Sequence, residues 1–225
     1  MTIFQERLYL IFTGIFIAAL VSCNLIFQKF FTWSALGISD FFVLSVGIIA
    51  YPITFIVTDL ISELYGSRRA NQVVLAGFFA SVFTTILIYV AIAVPTADIS
   101  PLESVTFKKV FGLSGPAFFG SMAAYLTAQF IDIRIFHFWK KLTKGKHLWL
   151  RNNGSTIISQ FVDTAAVLIL LCSAGVIEWN RFWLLLENGF LFKVLVALMD
   201  TPVIYGIIYA LKGKIDIAPY EEGLD

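Results

Sequence analysis

The sequence predicts an all-α integral membrane protein, a six-transmembrane-helix bundle with both termini cytoplasmic. Three observations carry that expectation. Of its 225 residues, 59% are hydrophobic and only 14% charged, whereas a soluble domain carries about 25% charged residues. Its mean hydropathy is +0.85. Six apolar runs approach the ~20 residues needed to cross hydrocarbon, and Lys and Arg are concentrated in alternate connections. A net charge of +1 supplies no basic field for nucleic acid.

The spans are expected at about 9–27, 41–60, 73–94, 117–136, 156–176 and 190–211, as one membrane domain covering residues 1–225. The first run, from Tyr9 to Phe27, exceeds the ~7–15 apolar residues of a cleaved signal and precedes no A-x-A-like site, so it reads as a retained helix. Ser39 and Asp40 can cap the second span, Gly115-Pro116 can open the fourth, and Asn152-Asn153-Gly154-Ser155 the fifth. Pro52 and Pro202 fall within the second and sixth, where kinks are expected. No soluble domain is visible, because the longest connections, 95–116 and 137–153, are too short to fold alone.

Orientation follows from cationic residues in the connections. One side collects Arg7, Arg68, Arg69, Lys140, Lys141, Lys144, Lys146, Arg151, Lys212 and Lys214, ten in all. The other holds four: Lys29, Lys108, Lys109 and Arg181. The ten belong inside. The basic stretch from Lys140 to Arg151 reads as a topology signal beside anionic lipid.

Against this background the polar residues within the spans stand out. A charged side chain at a helix centre costs roughly 2.5–3.5 kcal/mol on insertion scales, so it is expected to face the protein interior or a water-filled path. Asp132, Asp163, Lys193 and Asp200 lie within spans, with Asp59 and Glu63 at the end of the second. Gln129-Phe130-Ile131-Asp132 is echoed by Gln160-Phe161-Val162-Asp163. The i, i+3 spacing sets each Gln and Asp on one face, and antiparallel neighbours would bring the two motifs to similar depth. Interhelical hydrogen bonding is the alternative role for Gln129 and Gln160. Asn24 and Gln28 share a face near the far end of the first span. Lys193 and Asp200, seven residues apart, can pair on the sixth, and Glu63 can sit in water beside Arg68. Arg134 is expected to snorkel, and His137 and His147 to occupy exposed loops. Gly14, Ala18 and Ser22 form a small-residue stripe that admits a close helix, from within the bundle or from a partner.

Enzymatic and metal chemistry lack their signatures. There is no H-E-x-x-H, G-x-S-x-G or Walker A pattern, and no Gly-Asp pair of the kind used by intramembrane aspartyl proteases. Cys23 and Cys172 lie in apolar runs without metal-type spacing. No cofactor or metal is expected. A site of Asp, Gln, Asn and aromatics suits a flat polar ring, since a carboxylate accepts parallel N–H bonds and aromatics stack. Nucleobases, vitamins and amines all remain open on composition.

Four motifs narrow this. Tyr51-Pro52-Ile53-Thr54-Phe55-Ile56-Val57-Thr58-Asp59-Leu60 continues to Ser62-Glu63-Leu64-Tyr65-Gly66. Ala128-Gln129-Phe130-Ile131-Asp132 is followed by Phe136. Leu148-Trp149-Leu150-Arg151-Asn152-Asn153 precedes Ser155-Thr156 and Asp163-Thr164, and Phe192-Lys193-Val194-Leu195 precedes Pro202 and Tyr205-Gly206. In this order, over about residues 20 to 210, the chain resembles the queuosine precursor transporter family. The resemblance implies a multi-pass bacterial inner-membrane importer of 7-deazaguanines, such as the 7-cyano or 7-aminomethyl compound or queuine. It also implies a plan similar to the S-components of energy-coupling factor transporters. A polar binding role carries over to Asn24, Asp59, Gln129, Asp132, Asp163 and Lys193, and the local argument adds Gln160 and Asp200. The competing reading is a vitamin- or nucleobase-binding membrane subunit driven by an ATP-consuming partner. The Gly14/Ala18/Ser22 face would seat that partner or a second copy.

Overall fold

A computed structural model of the chain describes residues 2–27, 29–33, 42–112, 115–173, 175 and 177–211. Helix α1 (Ile3–Ile26) starts with a reciprocal capping box: Thr2 accepts from the Gln5 backbone N–H, and the Gln5 side chain accepts from that of Thr2. Two otherwise orphaned donors are thereby satisfied. Strand β1 (Phe30–Trp33) then pairs antiparallel with β2 (Phe42–Ser45). A 3-10 turn at Val46–Ile49 leads into α2 (Tyr51–Tyr65).

The chain is otherwise helical, as expected, and this entry into α2 corrects only the span at 41–60. Its first residues are strand and 3-10 turn. Ser45 explains the change locally: its hydroxyl accepts from Gly47 N–H at 3.2 Å and donates to the Phe27 carbonyl. A Cβ on Gly47 would lie 3.1 Å from both the Cys23 carbonyl oxygen and Phe27 Cβ, so glycine lets this turn press against α1. Pro52 occupies the first turn of α2, where its missing N–H costs nothing, and does not kink a helix interior as expected. Pro202 does lie inside a helix. The proposed Ser39-Asp40 cap, Gln28, Lys212 and Lys214 lie outside the described residues.

The remaining elements are α3 (Ser67–Ala93), the short α4 (Ser104–Phe111), α5 (Gly115–Leu142), α6 (Leu148–Ser173) and α7 (Phe182–Leu211). A 3-10 turn, Trp179–Arg181, precedes α7. Gly115-Pro116 opens α5 as expected. Asn152-Asn153-Gly154-Ser155 does not open α6, which begins four residues earlier. The expected loop 137–153 shrinks to a turn between α5 and α6, made by left-handed Lys144 (φ 50°), Gly145 (φ 76°) and His147 (φ 55°). His147 is exposed, whereas His137 is half-buried on α5 and not in a loop. Arg134 is exposed on the same helix.

Among the described residues, five segments are long and apolar enough to cross a membrane: α1, α2 with its leading turn, α3, α6, and α7 with its leading turn. Their outer faces carry large apolar side chains, among them Phe79, Phe83, Val90, Leu198 and Met199. An apolar exterior of this kind marks a lipid-facing helix. Helix α5, 28 residues long, packs along α6, and α6 along α7. Phe16, Leu60, Ile61, Val73, Ile133 and Phe136 fill the centre. On α1 the inward face is Phe12, Phe16, Ala19, Leu20 and Cys23, while Gly14, Ala18 and Ser22 are exposed. The small-residue stripe therefore does not serve internal packing.

Candidate functional site: a cavity above two buried polar layers

Contacts between helices set their directions. Tyr65 Oη donates to the Gln5 carbonyl and Cys23 Sγ meets the Gly47 carbonyl, so α1 and α2 run antiparallel. Asp132 meets Ser159, Asp163 meets Lys193, and Trp149 meets Tyr205, which sets α5, α6 and α7 alternately. Polar side chains on α2, α5, α6 and α7 consequently stack in three layers along the bundle.

The first layer surrounds a cavity of about 280 Å³. Asn24 from α1, Ser45 and Gly47 from the hairpin's end, Tyr51 from α2, Met122 and Tyr125 from α5, Asp163 from α6 and Lys193 from α7 all line it. Lys193 Nζ lies 2.7 Å from Asp163 Oδ2 and 4.5 Å above the Tyr51 ring. Tyr51 Oη donates to the same carboxylate oxygen at 2.6 Å. Asp163 Oδ1 has no donor among the described residues, and Asp163 is part of the cavity wall. Asn24 makes only long contacts, 3.5 Å to Ser81 Oγ and 4.0 Å to Met122 Sδ. Tyr51 and Tyr125 meet edge to face at 5.9 Å. The wall thus combines a neutralised carboxylate with an open oxygen, a weakly engaged amide and two phenols. These are donors and acceptors for a polar ring, with aromatic faces to cover it.

Beside this cavity, Gln160, Asp200, Thr156 and Lys193 border a cleft of about 20 Å³, room for about one water. Gln160 Oε1 has no hydrogen-bond partner. Lys193 pairs with Asp163, so the expected Lys193–Asp200 ion pair does not form. The two ends of that seven-residue spacing are about 10 Å apart along α7, and Asp163 on α6 is nearer.

The second layer lies deeper. Asp59 of α2 and Asp132 of α5 are both buried there, and Ser159 Oγ donates to Asp132 Oδ1 at 2.9 Å. Gln129 bridges this layer to the first: its Nε2 donates to Tyr125 Oη at 2.9 Å, and its Oε1 accepts from Thr58 at 3.4 Å. None of Asp59, Gln129 and Asp132 lines the cavity or the cleft. The two Gln-Phe-x-Asp motifs do pack on adjacent helices, but their carboxylates part company. Asp132 meets Ser159 of α6, and Asp163 meets Lys193 of α7.

The third layer is ionic. Glu63 Oε1 lies 2.7 Å from an Arg151 guanidinium nitrogen, and its Oε2 lies 3.3 Å from Lys140 Nζ. Arg151 also donates to the Gly145 and Lys146 carbonyls, closing the α5–α6 turn. All three residues are at least 94% buried. Glu63 therefore does not sit in water beside Arg68, and Lys140 and Arg151 are not loop charges facing lipid headgroups. Lys141, Lys144 and Lys146 remain exposed. The heptad from Leu60 buries Glu63, because α2 is enclosed between α1, α3, α5 and α7.

Tyr51, Tyr125 and the Glu63–Lys140–Arg151 cluster escaped the sequence reading. One signal was present: Tyr125 precedes Gln129 by four residues and so shares its helix face. Arg151 was hidden by its company, since the basic stretch around it looks like a loop.

The comparisons bear on this arrangement. Residues 45–207 match the family model described as "Putative vitamin uptake transporter". A protein of Bacillus subtilis (strain 168), "Probable queuosine precursor transporter", is 25% identical over 162 residues, which cover 72% of this chain and 70% of that relative. No solved structure gives a significant match. The matched segment contains all three polar layers except Asn24, which comes from α1. With its apolar helices, the chain is a multi-pass protein of the bacterial inner membrane, and it belongs to the vitamin uptake transporter family.

Proposed function

We propose that this protein imports a 7-deazaguanine precursor of queuosine, as the 7-cyano or 7-aminomethyl compound or as queuine, for tRNA modification. One observation carries the reading: the cavity at Asn24, Tyr51, Tyr125, Asp163 and Lys193 has the size and wall chemistry for a small bicyclic base. Its 280 Å³ lies near the lower end of small-molecule pockets, about 300–1,000 Å³. Asp163 Oδ1 accepts an N–H from the base, Lys193 or Asn24 reaches its carbonyl, and the tyrosines cover its faces. Gln160 and Asp200 reach it through a water in the cleft. Asp59, Gln129 and Asp132 lie below the binding position and serve the path.

In this reading α5 is the sixth span and both termini are cytoplasmic, so the cavity faces the outer half. The Glu63 cluster closes the inner end. Import by alternating access requires that cluster to part as the cavity closes. Uptake of labelled 7-cyano-7-deazaguanine by cells unable to make or import it tests the assignment. Asp163→Asn and Asn24→Ala should each reduce uptake at least tenfold at normal protein levels. Undiminished uptake in both would remove the cavity from consideration.

A second reading has its own observation. The exposed Gly14, Ala18 and Ser22 stripe offers a close-packing face for a partner helix, as a dependent binding subunit or a homodimer would need. Purified protein that carries the base into liposomes alone rules out dependence on an ATP-driven partner.

A further inference from the structure

The second layer poses a charge problem that the cavity does not. Asp163 is matched by Lys193, whereas Asp59 and Asp132 form no ion pair among the described residues. Their side chains are 2% and 0% exposed. The Thr58–Gln129 and Glu63–Lys140 contacts on either side of them hold both carboxyls between α2 and α5, and an ionised carboxylate there, which only accepts hydrogen bonds, carries a heavy burial cost that a proton removes. Each has a buried oxygen with no hydrogen-bond partner among the described residues, Asp59 Oδ1 and Asp132 Oδ2. These are open acceptors at a place no solvent reaches.

The surroundings add no positive charge. Glu63 from the same helix and Asp200 from α7 act on Asp59, and both are acidic. Helix α6 contributes the hydroxyls of Ser155, Thr156 and Ser159. On α5, Arg134 stands two residues from Asp132 but is exposed, and His137 is half-buried; Lys140 of α5 and Arg151 of α6 both engage Glu63. Helices α1 and α3 carry their charges only at their starts, as Glu6, Arg7, Arg68 and Arg69. The pair is connected to the cavity nonetheless. Tyr125 in the cavity wall is bonded to Gln129, Gln129 to Thr58, and these two residues sit on the helices of Asp132 and Asp59.

We propose that Asp59 and Asp132 form a proton-binding site that couples uptake of the base to the proton gradient. The inference rests on the importer reading above. A proton from outer water forms an O–H bond on the carboxyl still ionised, leaving the pair neutral. The loaded, neutral pair crosses with the neutral base as the bundle changes its opening, and the O–H bond breaks to cytoplasmic water. One proton enters per base.

Purified protein in liposomes, with the membrane potential clamped at zero, gives the test. A one-unit gradient, acid outside, should accumulate labelled 7-cyano-7-deazaguanine about tenfold, since one pH unit corresponds to a factor of ten per proton. A protonophore should abolish it, and adding base should acidify a lumenal pH dye. In Asp59→Asn and Asp132→Asn, label exchange should continue while both accumulation and acidification disappear. Wild-type uptake that moves no protons, or follows a sodium gradient instead, overturns the proposal without need of any variant. Amide variants that still accumulate tenfold overturn it equally. A wild type that neither binds nor exchanges any deazaguanine sinks the importer reading itself, and so is distinguishable from failure of coupling alone.

Discussion

Two buried ion pairs lie at opposite ends of the same polar column, and they are built differently. Asp163–Lys193 stands in a cavity wall, touches one phenol, and leaves a carboxylate oxygen with no donor among the described residues. Glu63 has both oxygens engaged by cations from two helices, and Arg151 is further tied to two carbonyls of the α5–α6 turn. The first can trade a protein contact for a ligand contact with little rearrangement. The second can lose a partner only by leaving a charge stranded in the interior. Equal separations of 2.7 Å therefore mean exchange at one end and fastening at the other.

The largest test attacks the fastening. Arg151→Met should destabilise the protein by about 3–5 kcal/mol, because it breaks a buried ion pair and leaves Glu63 Oε1 and two carbonyls of the α5–α6 turn without their donor. Thermal melting in detergent should show it as a lower midpoint and poorer yield. Unchanged melting would dissolve the contrast.

The cavity pair should respond less in stability and more in binding. Lys193→Met removes one charged hydrogen bond of about 1.5–3 kcal/mol, with cavity water able to solvate Asp163. Ligand-induced stabilisation by a deazaguanine should fall by about tenfold or more in apparent affinity while the apo midpoint moves little. A large apo loss with intact ligand response would make Lys193 a fastening too.

Tyr51→Phe sharpens the same point. It deletes the 2.6 Å bond to Asp163 but keeps the ring under Lys193, so affinity should weaken by about 0.5–1.5 kcal/mol in the same titration. Smallest of all, Gly14→Leu on the exposed stripe should change the melting midpoint by no more than about 0.5 kcal/mol equivalent. Its place is to affect association, and size-exclusion profiles in detergent read that directly.

Much of the fold was legible because hydrocarbon imposes one-dimensional rules. Length and hydropathy mark α1, α3, α6 and α7 in the sequence, since backbone in lipid must be satisfied within the helix. Asn24, Asp163 and Lys193, singled out on the cost of polarity in a span, all line the cavity. The start of α2 was not, because Phe42 to Ile49 is as apolar as any helix and only the contacts of Ser45 and Gly47 with α1 turn it into strand and 3-10 turn. Nor was the role of Arg151, whose neighbours Lys144 and Lys146 made it look like surface charge.

The sequence by itself determined that this chain lives in a membrane, that its helices carry too many ionisable groups for packing alone, and on which helix face each group lies. Those follow from local periodicity and transfer energy, which need no partner. Only the tertiary structure decided the pairings: Lys193 with Asp163 and not Asp200, Glu63 with Lys140 and Arg151, Asp132 with Ser159. Charge pairing depends on which helices touch and at what depth. That is a property of packing between segments dozens of residues apart, and no spacing within a single helix contains it.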